Sequence, residues 1–226
     1  TPCLTFATTV SAIIKNDLIP SFVDIEKETL CIKTDEIEKK INKKTKAILI
    51  PDLIGNISNW EKIKKIAKKY KLKILHDSAD TLGALINKKS TGSFSDISIT
   101  SFYGSHVITA AGNGGMICTS SKKLYNKMRL LRSWGRTSSI INEKNLKSRF
   151  NINLDGISYD KKFVFEEIGY QLEPSELSAA FGLEQLKKLK KNINIRERNF
   201  KFHSSFFSKY PDIFILPKQL ENSKTG

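Results

Sequence analysis

The sequence predicts an α/β protein with a mostly parallel sheet flanked by helices. Three observations carry this. Short runs rich in isoleucine and valine recur through the first half. Amphipathic helical stretches lie between them. Polar, glycine-containing turns separate the two. Strands that alternate with helices give a parallel sheet covered on both faces. The chain has 226 residues, 39% of them apolar, enough for a sizeable core.

In chain order, "SFVDI" (21–25), "KAILIP" (46–51), "KLKILHD" (71–77), "DISITSF" (96–102) and "GMICTS" (115–120) read as buried strands. A helix is expected over 58–70. Ser58 and Glu61 have capping-box spacing, and Ile63, Ile66, Ala67 and Tyr70 form one apolar stripe. A second helix is expected near 121–132, then an irregular polar stretch over 136–162. After "GYQLEP" a helical pattern runs from Pro174 to Tyr210, striped by Leu177, Ala180, Phe181, Leu183, Leu186 and Leu189. "IFILP" (213–217) reads as one more short strand. Both ends read as cut, so a fragment is expected. Residues 1–172 would be most of a large α/β domain lacking its N-terminal part. Residues 173–226 would be a long helix leading into a truncated small C-terminal domain.

Thirty-eight Lys and Arg against twenty-three Asp and Glu give a net charge of +15. The lysines fall as pairs on helical faces without interleaved aromatics, and no nucleic-acid signature accompanies them. They read as solvated surface that also attracts a doubly charged diphosphate. Cys3, Cys31 and Cys118 lie far apart, in no metal-ligand spacing, among apolar residues. Reduced core thiols of a cytoplasmic protein are expected, with no metal. No signal-peptide pattern is visible and no apolar run approaches about 18 residues, so no membrane partner is expected.

From Ser90 to Ser121 the chain carries no Lys or Arg, and His106 stands in the middle of that gap. Asp77 and Ser101 end successive strands, where doubly wound sheets bind ligands. Each residue alone has an ordinary structural explanation: a capping Asp, a local hydrogen-bonding Ser, a structural His. Their coincidence at neighbouring strand ends points to a site.

The segments "TPCLTFATTVSAI", "DLIGNISNWEKIKKIAKKYKLKILHDSADTLGA", "SFYGSHVITAAGNGGMICT", "LRSWGR" and "GYQLEPSELSAAFGLEQL" together resemble the DegT/DnrJ/EryC1/StrS sugar aminotransferase/dehydratase family. The resemblance covers essentially the whole chain. It implies the type I fold of pyridoxal phosphate-dependent transferases and substrates that are nucleotide-linked keto sugars. In that family the loop after "SF" normally carries the lysine that bonds the cofactor; here the residue is His106. The match is then closest to the histidine-containing 3-dehydratases of nucleotide-linked 4-keto-6-deoxyhexoses, in deoxysugar and lipopolysaccharide biosynthesis. Imidazole cannot hold the cofactor covalently but is a good proton acceptor.

Further roles follow from the resemblance. Asp77 pairs with the pyridine nitrogen, Asp80 lies near the ring oxygen, Phe6 stacks on the ring, and Ser101 reaches the phosphate. A core role for Phe6 stays open. Relatives carry Asn where Gln171 stands, reaching the neighbouring subunit's phosphate, and "GEGG" where this chain has "GNGG" with Asn113. The cofactor would be pyridoxal or pyridoxamine 5′-phosphate, the amino donor L-glutamate, and the assembly a homodimer. The segment "WGRTSSIINEKNLKSRF" has no cysteine, which excludes the iron–sulfur cluster of one branch. Two other readings remain: a nucleotide-sugar aminotransferase, and a non-catalytic relative that binds cofactor or sugar nucleotide.

Overall fold

A computed structural model describes residues 1–225. Its helices are α1 (Ala7–Ile14), α2 (Thr34–Lys40), α3 (Trp60–Tyr70), α4 (Lys122–Arg132), α5 (Leu146–Arg149) and α6 (Glu176–Phe207). Its strands are β1 (Ala47–Pro51), β2 (Lys73–Asp77), β3 (Leu85–Ile86), β4 (Lys89–Ser90), β5 (Ile97–Ser101), β6 (Gly115–Cys118), β7 (Ile152–Leu154), β8 (Ile157–Tyr159) and β9 (Ser223–Lys224). Two compact units arise. One joins Thr1–Cys118 to the chain from Leu177 onward; the other is Thr119–Glu176.

The first unit holds a four-stranded sheet in the order β1-β2-β5-β6. β1, β2 and β5 are parallel, and β6 returns antiparallel to β5. Register pairs Pro51 with Asp77, Asp77 with Ile99, and Ser101 with Gly115. The carboxyl ends of three parallel strands therefore share one edge, where a site is expected.

Ile48, Ile50 and Ile74 from the strands pack with Trp60, Ile63, Ile66 and Ala67 of α3 in one buried cluster. Removing each large side chain from water contributes about 1.5–3 kcal/mol. Tyr70, the last residue of the expected stripe, is exposed. Cap and helix start shift by one residue. Asn59 accepts from the amide of Lys62, while the Ser58 amide is taken by Asp52 Oδ1 at 2.8 Å. Glu61 instead accepts from Asn87, so Ser58 and Glu61 form no capping box.

Other expectations change as well. Residues 21–25 make only isolated bridges, Pro2 to Val23 and Ile25 to Ile32. Residues 213–217 form no strand. β6 is exposed along its length, so this part of the sheet is not covered on both faces. The apolar stripe of α6 is also open: Leu177 is 84% exposed, and Phe181, Leu183 and Leu186 are exposed. Cys31 is buried, but Cys3 and Cys118 are exposed rather than in the core.

In the second unit, the stretch read as irregular contains the antiparallel hairpin β7–β8. Its turn is Asp155-Gly156, at φ 51° and 87°. Two left-handed residues match the twist of the flanking strands. The Arg149 guanidinium donates to Asp160 just beyond β8. Among the described residues, no helix is long and apolar enough to cross a membrane.

Candidate active site

Asp77 ends β2, half-buried. Its Oδ1 accepts from the amide of Ala79 at 3.0 Å. Burial holds its pKa above the usual aspartate value, and the charge of Asp80 adds to the rise. The Ala79 amide and the imidazoles of His76 and His106 oppose it. Such a carboxylate favours a cationic partner.

Directly before it, His76 is fully buried and faces a second carboxylate, Asp52, just past the end of β1. Asp52 Oδ2 accepts from Trp60 Nε1 at 2.8 Å and lies 2.9 Å from His76 Nε2. The Trp60 and His76 rings stand 4.2 Å apart. The Asp52 amide donates to the Asp77 carbonyl at 3.0 Å, so Asp52 ties the ends of β1 and β2 together. The sequence reading missed Asp52 and His76. The signal available was an acid and an imidazole at the ends of neighbouring strands, "PD" and "HD".

Asp80 lies three residues past Asp77. Its Oδ2 accepts from the amide of Ile54 at 3.0 Å, and its Oδ1 faces His106 Nε2 at 3.7 Å. That separation is an electrostatic contact rather than a hydrogen bond. His106 Nδ1 is buried and without a partner. The ring sits edge-on to Tyr103, centroids 6.1 Å apart, and its amide donates to the Tyr103 carbonyl at 3.1 Å.

The loop carrying His106 is closed by Phe102, whose amide donates to the Gly114 carbonyl at 2.9 Å. Buried Ile108 and Ala110 anchor it. Ala111 and Gly112 turn it back at φ 56° and 90°, and Asn113 bridges to Ala110. A Cβ at Gly182 of α6 would sit 3.3 Å from that of Ala110, so α6 packs closely on this loop.

The structure thus brings Asp77, Asp80 and His106 into one neighbourhood. Ser101 ends β5; its Oγ accepts from the Tyr103 amide at 3.2 Å, which leaves its hydroxyl hydrogen free to donate. Phe6 precedes α1 and is 70% exposed, which a core residue would not be. Gln171 belongs to the second unit, where it bridges to Ser133. Lys88 in the β3–β4 turn and Lys89 at the start of β4 are both exposed.

These residues fit pyridoxal phosphate. Asp77 offers a half-buried acceptor to a pyridinium nitrogen, Ser101 a hydroxyl donor to a phosphate, and His106 a ring nitrogen to a transferable proton. Beside Asp80 opens a cleft of about 990 Å³, lined in part by Leu30, Leu53, Ile54, Gly55 and Arg196.

Comparison with known proteins gives the family and the fold. The chain is 34% identical to the lipopolysaccharide biosynthesis protein RfbH of Salmonella typhimurium, over 96% of this chain and 51% of that protein. It is 32% identical to GDP-4-keto-6-deoxy-D-mannose 3-dehydratase of Yersinia pseudotuberculosis, over 100% and 56%. It is also 32% identical to GDP-perosamine synthase of Escherichia coli O157:H7, over 97% and 58%. The chain therefore spans about half the length of the curated relatives it matches. Among solved structures it resembles the E. coli GDP-4-keto-6-deoxy-D-mannose-3-dehydratase with bound hydrated PLP. The TM-score is 0.82 at 31% identity, over 93% of this chain and 53% of that one. The sheet with its flanking helices is the fold of pyridoxal phosphate-dependent aminotransferases. A family model matches residues 1–225, and the chain belongs to the DegT/DnrJ/EryC1/StrS aminotransferase family.

Proposed function

We propose that the protein is a 3-dehydratase that removes the 3-hydroxyl of a nucleotide-linked 4-keto-6-deoxyhexose, with His106 as the proton-transferring base. The observation that carries this reading is an imidazole, not a lysine amine, in the loop after β5, facing Asp80 and close to Asp77. When bound, pyridoxamine phosphate supplies the amine that condenses with the 4-keto group and a ring that draws electrons from the reacting carbon.

The chain's own residues do the rest. Asp77 keeps a negative charge at the pyridine nitrogen, which holds that nitrogen protonated. Ser101 donates to the phosphate and fixes its end of the ring, and Phe6 offers an aromatic face. His106 Nε2 takes up the proton, and the Asp80 carboxylate at 3.7 Å stabilises the positive charge that forms. L-Glutamate is the amino donor that restores the amine form. In the same reading the protein is cytoplasmic and dimeric, Gln171 reaches the neighbouring subunit's phosphate, and no iron–sulfur cluster takes part. Residues 1–172 form a large domain, and 173–226 lead into a small one.

A single-turnover experiment tests this. Protein loaded with pyridoxamine phosphate is mixed with substrate, and loss of the 3-hydroxyl is followed in wild type and His106→Asn. A hundredfold or larger slowing is expected, the usual cost of a positioned base being about a hundred- to ten-thousandfold. Equal rates overturn the assignment. The second reading, amino transfer, is favoured by the likeness to a perosamine synthase. It requires a product carrying nitrogen at C4.

A further inference from the structure

We propose that Ile54 is a positioning residue: its left-handed backbone aims its amide at Asp80 and so fixes the carboxylate that faces His106. Ile54 has φ 57° and ψ 28°. Among the described non-glycine residues with positive φ it is the β-branched one. That conformation is costly for a branched side chain and persists only where the surroundings enforce it, most often at functional sites.

Nothing in side-chain packing explains it here. Ile54 is 69% exposed on the wall of the cleft, so its conformation gains no core burial. What the conformation achieves is the 3.0 Å hydrogen bond from Ile54 N to Asp80 Oδ2. The other Asp80 oxygen then faces His106 Nε2 at 3.7 Å. The turn is held from both sides. On one, Asp52 is locked by Ser58, Trp60, His76 and the Asp77 carbonyl. On the other, buried Asn56 donates to the carbonyls of Thr29 and Lys218 at 2.9 and 2.7 Å. Asp80 is part-exposed and would otherwise sample several rotamers; the anchored oxygen removes that freedom. The catalytic consequence rests on the dehydratase reading. The geometric half does not.

The test has two parts. Amide hydrogen exchange in the cofactor-free protein reads the anchor directly. Asp80→Asn should speed exchange at the Ile54 amide about tenfold, the low end for a bond to a charged acceptor. Exchange at the Asp52 amide, which bonds to a backbone carbonyl, should not change. Unchanged protection at Ile54 overturns the proposal whatever reaction the protein performs. The second part compares Ile54→Gly with Ile54→Pro. Glycine adopts φ 57° freely and keeps the N–H that reaches Asp80, so that variant should retain kcat. Proline removes the N–H and is locked at a φ of about −65°, so it should lose about tenfold in kcat, with KM little changed. A proline variant that folds and keeps wild-type kcat overturns the positioning role. So does a glycine variant that loses as much, because the side chain would then be what matters. If wild-type protein removes no 3-hydroxyl, the function proposed above fails while the exchange result still stands.

Discussion

Asp77 sits where chemistry and stability pull in opposite directions. Its folded pKa lies above the ordinary value of 3.8, chiefly because burial penalises the charged form. The folded chain therefore holds that proton more tightly than the unfolded chain does. The group's contribution to stability is full below 3.8 and is lost as pH rises through the folded value. Asp77→Asn removes the cost of a buried charge while keeping an oxygen for the Ala79 amide. The cofactor-free variant should melt about 2 °C higher than wild type at pH 7 and no higher at pH 4, followed by thermal denaturation. Turnover should fall by about one to two decades, the worth of a charge-assisted hydrogen bond of about 1.5–3 kcal/mol. A variant with full turnover would remove Asp77 from the chemistry. His106→Lys gives a separate check. Gly104 and Ser105 leave room for the longer side chain, so lysine should capture pyridoxal phosphate covalently while dehydration is lost. Borohydride reduction followed by peptide mass should find the adduct on residue 106; its absence means this position does not face the cofactor. Asp77, Ser101 and His106 were legible because strand ends and a cation-free segment leave a mark in sequence, whereas Asp80 entered only through the family resemblance. Ile54 and the buried Asp52–His76 pair were not. A backbone dihedral has no letter, and an Asp or His at a strand end reads the same whether it faces solvent or another side chain.

At the scale of elements, the Asp52–His76–Trp60 cluster joins β1, β2 and α3. Asp52→Ala would leave the Ser58 amide, Trp60 Nε1 and His76 Nε2 buried without their acceptor. A loss of about 3–5 kcal/mol in urea unfolding is expected. A loss under about 1 kcal/mol, the net worth of one ordinary hydrogen bond, would mean that water reaches the cluster. The same carboxylate explains why the start of α3 was misread. Ser58 and Glu61 have the right spacing, but Asp52 claims the Ser58 amide and the cap passes to Asn59. β1 and β2 were legible from their isoleucine-rich runs, because burial between sheet and helix demands apolar residues; β5 and β6 carry apolar letters too, although Ile99, Met116 and Ile117 are exposed. The hairpin β7–β8 was not, because its strands have three residues each and are largely exposed, so no burial period marks them. Its one signal was Asp155-Gly156. Residues 213–217 show the reverse failure: an apolar run that pairs with nothing.

At the scale of the molecule, the exposed apolar surface is the largest departure from what the sequence pattern suggested. Ile99, Met116 and Ile117 on the sheet, and Leu177, Leu183 and Leu186 on α6, are all open to solvent. Periodicity marks a face for burial without saying what buries it. Exposed apolar side chains on a sheet face and along a helix favour self-association. The protein should sediment as a dimer at micromolar concentration, and a cofactor-loaded monomer would count against the dimeric reading. The most direct test of the proposed chemistry weighs the product. The protein is incubated with GDP- and CDP-linked 4-keto-6-deoxyhexoses, pyridoxal phosphate and L-glutamate, and the sugar nucleotides are analysed by mass spectrometry. Dehydratase chemistry gives a 4-keto-3,6-dideoxy sugar, lighter than the substrate by one oxygen and free of added nitrogen. A product that keeps its 3-hydroxyl and carries an amine at C4 would contradict it.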